Sequence, residues 1–174
     1  ADFTPADTNN YNSASATVNL TVNSKTNPVI TWAAPADITY GTLLSGTQLN
    51  ATADVAGSFS YSPATNAVLD AGVQTLTATF TPTDTARYNT VSKSVSINVV
   101  KAAATVSLGT LNFTYDGSAK STTATTVPAG LAVAITYAGS TTAPTAAGSY
   151  AVVATINDAN YSGSASGTLV IAKA

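Results

Sequence analysis

The segment Ala78 to Lys101 (ATFTPTDTARYNTVSKSVSINVVK) has a near copy at Ala1 to Lys25 (ADFTPADTNNYNSASATVNLTVNSK), and this repetition limits the possible folds more than any other feature. Phe3, Pro5, Asp7, Tyr11, Asn12, Val18, Leu20 and Val22 fall on Phe80, Pro82, Asp84, Tyr88, Asn89, Val95, Ile97 and Val99 at one constant offset. A looser third version keeps Ile156, Asp158, Tyr161, Leu169 and Ile171 in the same order, with a shortened loop before the tyrosine. Tyr61 and Gly72 recur as Tyr137 and Gly148 at almost the same spacing. Self-similarity of this kind marks an array of one small structural unit. The expected divisions are 1–24, the closing strands of an incomplete repeat; 25–100, a full repeat; and 101–174, a second full repeat. The 174 residues are therefore expected to be a piece of a longer array.

A unit of about 75 residues buries roughly 60% of its unfolded surface, so each repeat needs a thin core. The pattern supplies one. Val73 to Thr81 places Leu76, Ala78 and Phe80 on one face and Thr75, Thr77 and Thr79 on the other. Ser92 to Val100 does the same, with Val95, Ile97 and Val99 against Ser94, Ser96 and Asn98. A period of two over this length is that of a half-buried antiparallel strand, and threonine on the wet face keeps strand propensity without adding apolar surface. Shorter strands are expected at Val29 to Trp32 (stopped by Pro35), Asp37 to Thr42, Leu49 to Ala53 and Ser58 to Ser62, with Leu43, Leu44 and Leu49 adding to the core. The last repeat follows the same plan at Val106 to Leu108, Leu111 to Tyr115, Ser121 to Thr126, Leu131 to Tyr137, Ser149 to Ile156 and Ser166 to Ile171. Strands apolar on one face only must close as two sheets over a shared core. The fold class is all-β: tandem immunoglobulin-like antiparallel β-sandwich domains, expected to form an elongated rod because only Asn23 to Asn27 and Lys101 to Ala104 link them.

Composition narrows the function. The chain has no Cys, Met or His, and its eight acidic residues are all Asp. The usual general base, the thiolate nucleophile and the common transition-metal ligands are thus missing together, which argues against an enzyme and against a cofactor. Net charge is −2 with few, scattered cations, so no basic face is expected for nucleic acid. No apolar run approaches the roughly 20 residues of a membrane helix, so no membrane insertion is expected of this stretch. A charge-poor surface rich in Thr, Ser, Asn and Ala suits an extracellular fibre or stalk better than a cytosolic domain.

The last repeat carries YDG at Tyr115 to Gly117, GSY at Gly148 to Tyr150, NDANYSG at Asn157 to Gly163 and TLVIAK at Thr168 to Lys173, and resembles the MBG repeats of bacterial surface proteins. The middle repeat, with ITWAAPADITYGTLLSGTQLNATA and FTPTDTARYN, is similar to related bacterial Ig-like repeats of secreted proteins. The resemblance implies an extracellular sandwich used as a stalk or spacer in adhesins, with no catalytic residues to carry over.

A few side chains are candidates for a site. Tyr11, Tyr88 and Tyr161 could be sugar-stacking platforms, but a structural lock is the simpler reading: the ring under a loop, the hydroxyl on nearby backbone, as in a tyrosine corner. Asp7, Asp84 and Asp158 precede these tyrosines. Asp158 with Asn157 and Asn160 could offer oxygens to Ca²⁺, whereas an Asx turn explains the aspartates more simply. Trp32, the single tryptophan, is expected in the core or between domains. Lys93 and Lys120 are the lysines away from repeat ends and the ones an intramolecular isopeptide crosslink could use, although the face on which Lys93 lies depends on register. Lys25, Lys101 and Lys173 each follow a final strand and read as solubilising charges at junctions. Glycosylation sequons at Asn19, Asn50, Asn112 and Asn160 read as products of an Asn- and Thr-rich composition.

The leading function is a structural module of a bacterial extracellular or cell-surface fibre, stalk or adhesin, partnered by neighbouring repeats. The alternative is a module that binds a host or matrix glycan or protein through its loops or the faces carrying Trp32 and Tyr150. Residues 1–24, as two strands without a sheet, are expected to pair with upstream strands, or with another copy as in a donor-strand filament.

Overall fold

The computed structural model describes residues 1–19 and 24–174. It contains strands and turns and, among the described residues, no helix. The chain opens with a small hairpin, β1 (Asp2–Phe3) against β2 (Ala14–Ser15). The closing strand expected through Leu20 and Val22 lies partly outside the described residues.

The first sandwich is built from β3 (Ile30–Thr31), β4 (Ile38–Thr39), β5 (Thr52–Ala53), β6 (Gly57–Ser62), β7 (Gly72–Pro82) and β8 (Val91–Val100). β3 and β5 pair as a two-stranded sheet, and the facing sheet has the order β4-β8-β7-β6. β9 (Ala102–Ala103) leads into the second sandwich, which contains β10 (Thr105–Leu108), β11 (Asn112–Thr114), β12 (Ala124–Val127), β13 (Val133–Tyr137), β14 (Gly148–Ile156), β15 (Tyr161–Ser162) and β16 (Ser164–Ala172). Its topology is the same: β10 with β12, facing β11-β16-β14-β13. The sheets are antiparallel, as expected, except at one edge of each large sheet. β4 runs parallel to β8, and β11 parallel to β16. In each sandwich the first strand belongs to the small sheet, and the chain then crosses to the edge of the large one, where it runs in the same sense as the last strand.

The alternation read in the sequence is the burial pattern of the long strands. Leu76, Ala78, Phe80, Ile97 and Val99 are all at most 2% exposed. Their outward neighbours form a ladder of hydroxyls, Thr77 to Ser94 at 2.9 Å and Thr79 to Ser92 at 3.0 Å. Trp32 lies in the core, its ring edge-on to Tyr61 at 5.6 Å and its indole N–H on the Gln48 carbonyl, so it presents no stacking face to solvent. Of the three leucines expected in the core, Leu44 and Leu49 are buried, but Leu43 is 52% exposed. Leu43 forms a bridge to Val68, and adjacent residues of an extended segment point to opposite sides. The second core is divided into two groups, one around Val152, Leu169 and Ile171, the other around Val106, Ala154 and Ile156, with Leu108 and Ile135 packed against both.

Each sandwich ties its two sheets together with a tyrosine. Tyr61 Oη accepts the Ala51 amide at 3.1 Å, and Tyr137 Oη accepts the Thr122 amide at 3.1 Å. Lys93 adds a second tie in the first sandwich: it falls on the inward face of β8 and donates through Nζ to the Ile30 carbonyl at 3.1 Å. Lys120 instead pairs with Asp116 in the loop after β11.

Candidate functional site

The side chains that converge from distant parts of the sequence do so between the two sandwiches. After β8 ends, Lys101 is followed directly by β9, which pairs in parallel with β15 through Ala102 with Tyr161 and Ala103 with Ser162. The Ala102 amide donates to the Asn160 carbonyl at 2.9 Å and the Ala104 amide to the Ser162 carbonyl at 2.8 Å. The link is therefore not a free tether, because its backbone groups are paired into the loop of the second sandwich.

That loop is shaped by Asp158. Its Oδ1 accepts the amides of Asn160 at 2.8 Å and Tyr161 at 3.0 Å, the geometry of an Asx turn. The turn directs Asn160 and Tyr161 onto the first sandwich. Asn160 Oδ1 accepts the Ala71 amide at 2.8 Å while its Nδ2 donates to Asp70 Oδ1 at 3.0 Å. One planar side chain thus reads a backbone donor and a carboxylate acceptor on the loop before β7. The Tyr161 ring meets Tyr40, just beyond β4, edge-on at 5.3 Å and 77°. Such pairs contribute about 0.5–1.5 kcal/mol beyond the area they bury. On the other side of the link, Lys101 Nζ donates to the Asp158 carbonyl at 2.7 Å.

The Asx turn recurs in every copy of the motif. Asp84 Oδ1 accepts the Ala86 and Arg87 amides, both at 3.1 Å, and Asp7 Oδ1 accepts those of Asn9 and Asn10 at 3.1 and 3.2 Å. Asn10 also donates its side chain to Asp7, which lowers that carboxyl's pKa. The strand-like pairing of the link recurs too. The Thr26 amide donates to the Arg87 carbonyl at 2.8 Å, and Asn89 returns its own amide to the Thr26 carbonyl at 3.0 Å.

The sequence-derived candidates take these places. Tyr161 is packed on Tyr40, Tyr88 lines a groove with Val55, Ala56, Thr83 and Asp84, and Tyr11 is 67% exposed. The hydroxyl-to-backbone bonds expected of a tyrosine lock are made by Tyr61 and Tyr137, whose matching positions in the two repeats were the available signal, and by Tyr150, which donates to the Ala146 carbonyl at 2.9 Å. Of the proposed calcium set, Asp158 holds the turn, Asn160 reaches across the joint, and the Asn157 amide bonds to the Ala132 carbonyl. Among the described residues no three acidic, His or Cys side chains gather as a metal site. Tyr40, Asp70 and the bond from Lys101 to the Asp158 carbonyl were not singled out in the sequence. The recurrence of Tyr40-Gly41 as Tyr115-Asp116-Gly117, and of a lysine after each last strand, carried the signal.

Fold and site together define a chain of successive two-sheet sandwiches whose organised polar groups serve a joint between domains. Residues 104–174, the second sandwich, match the family model of the MBG domain. MBG domains occur in bacterial surface proteins, and the match marks this sandwich as similar to an extracellular surface-protein module. No curated protein matches the chain.

Proposed function

We propose that the chain is a spacer: successive sandwiches form the shaft of a bacterial extracellular fibre, stalk or adhesin, without catalysis of its own and with neighbouring repeats as its partners. The observation that carries this reading is the pair of hydrogen bonds from Asn160 to Asp70 and Ala71. A short link limits how far two domains separate but not the angle between them. Angle is controlled by contacts placed away from the link, and Asn160 and the Tyr40–Tyr161 pair supply them. The absence of His and Cys and the hydroxyl-covered strand faces support the same reading.

Residual dipolar couplings test it. A chain that works as a shaft gives both sandwiches one common alignment tensor, and the double substitution Asn160→Ala, Tyr161→Ala separates it into two. Unrelated tensors in the unsubstituted chain would remove the basis for a spacer. Reproducible, saturable binding on a glycan array would replace the spacer with the recognition module.

A further inference from the structure

We propose that the groove at the far end of the second sandwich is a docking socket for the Asx-turn tyrosine corner of a further sandwich repeat of the same kind, an inference that rests on the spacer reading above. The groove, of about 530 Å³, is lined by Tyr115, Thr145, Ala146, Ala147, Lys173 and Ala174. Strand register shows what these positions are. In the first sandwich Val99 pairs with both Ile38 and Gly72, and in the second Ile171 pairs with both Phe113 and Gly148. The Tyr40 amide then donates to the Val100 carbonyl at 2.9 Å, and the Tyr115 amide to the Ala172 carbonyl at 2.9 Å.

Counting outward from these pairs, Tyr115 stands where Tyr40 does, Ala146 and Ala147 where Asp70 and Ala71 do, and Lys173 where Lys101 does. On the first sandwich this surface is covered by Asn160 and Tyr161. On the second, Tyr115 is 43% exposed and Ala146 and Ala147 are exposed. The occupant follows from the covered copy: a tyrosine set edge-on to Tyr115, an asparagine oxygen on the Ala147 amide, and the carbonyl of the turn aspartate on Lys173. One bond of the template is lost, because Ala146 replaces Asp70 and offers no carboxylate to the asparagine Nδ2. The socket therefore holds its partner less tightly than the first sandwich holds the second.

The test extends the chain after Lys173 with a second copy of residues 102–174 and follows amide exchange. Slow exchange at Val152 of the added copy reports that it has folded. Docking slows the Ala147 amide about tenfold relative to the unextended chain, the factor that one hydrogen bond of ordinary net strength supplies, and Tyr115→Ala in the extended chain reverses it. Ala147 exchange unchanged by extension, with Ala71 still protected, overturns the socket and leaves the joint intact. An unprotected Ala71 in both chains overturns the socket and the spacer reading together. An extension with residues 26–100, whose corner carries Arg87 and Tyr88, shields the Tyr115 ring but leaves Ala147 exchange unslowed; an unshielded ring beside a folded extension also overturns the socket.

Discussion

Phe3 and Phe80 occupy the same place in two copies of one motif, yet their side chains are 65% and 1% exposed. Truncating each to alanine separates what the motif encodes from what the surrounding fold supplies. Phe80 projects from β7 into the core, its ring 4.9 Å from that of Phe59, which itself stacks on Tyr61. Removing a buried phenylalanine costs about 3–5 kcal/mol, transfer and cavity together. A domain of about 75 residues has roughly 4–11 kcal/mol of stability, so Phe80→Ala removes a large share of it. With a urea dependence of about 1 kcal/mol per molar for so small a unit, the midpoint of the first sandwich falls by about 3 M or more. Phe3→Ala, at an exposed position, changes stability by less than about 0.5 kcal/mol. Trp32, the single tryptophan and part of the first core, is a built-in probe of the first sandwich: its fluorescence through urea titrations measures Phe80→Ala and shows that Phe3→Ala, outside that sandwich, leaves it undisturbed. A midpoint shift below about 0.5 M for Phe80→Ala, or equal shifts for the two variants, would refute the assignment of Phe80 to the core and of Phe3 to an open face.

Four further outcomes follow from the same contacts. Tyr61→Phe and Tyr137→Phe each remove a hydroxyl that accepts a buried or half-buried amide, costing about 1–2 kcal/mol in urea unfolding, with Trp32 reporting the first and not the second. Gly163→Ala drives a Cβ into the Ala104 carbonyl oxygen, so the β9–β15 pairing must shift; a loss of about 1–3 kcal/mol and faster exchange at Ala104 are expected. Lys120 and then Ser118 hold the Asp116 carboxyl well below its ordinary value of 3.8. A depressed folded pKa means this contribution is complete above about pH 4 and fades as pH falls through the folded value; Lys120→Met raises the Asp116 titration midpoint toward 3.8 in a carboxyl NMR titration. Asn160→Asp puts an anion against Asp70 and weakens the joint at neutral pH. Faster exchange at Ala71 than in the unsubstituted chain at the same pH measures this.

Much of the fold was legible in the residues. Leu76, Ala78, Phe80, Ile97 and Val99 alternate with Thr and Ser, and a strand's period of two leaves one arrangement that buries the first set and wets the second. The recurring aspartate before the tyrosine gave the Asx turn for an equally local reason: a carboxylate reaches amides two and three residues ahead without help from the rest of the chain. Local chemistry could not tell Phe3 from Phe80, because burial depends on strands that are far away in sequence. The period of two also puts Lys93 on the face of Val95, Ile97 and Val99, but the Ile30 carbonyl that its Nζ meets lies on a strand far away in sequence.

The joint shows the same division. The sequence by itself determined the repeat, the strand faces and a turn that presents Asn160 and Tyr161. Only the tertiary structure brought Asn160 to Asp70 and Ala71, Tyr161 to Tyr40, and Lys101 to the Asp158 carbonyl. Hydrogen bonds and ring contacts act over a few ångströms, and the groups that make this joint come within that distance only after β8, β9 and β15 have been stacked in order.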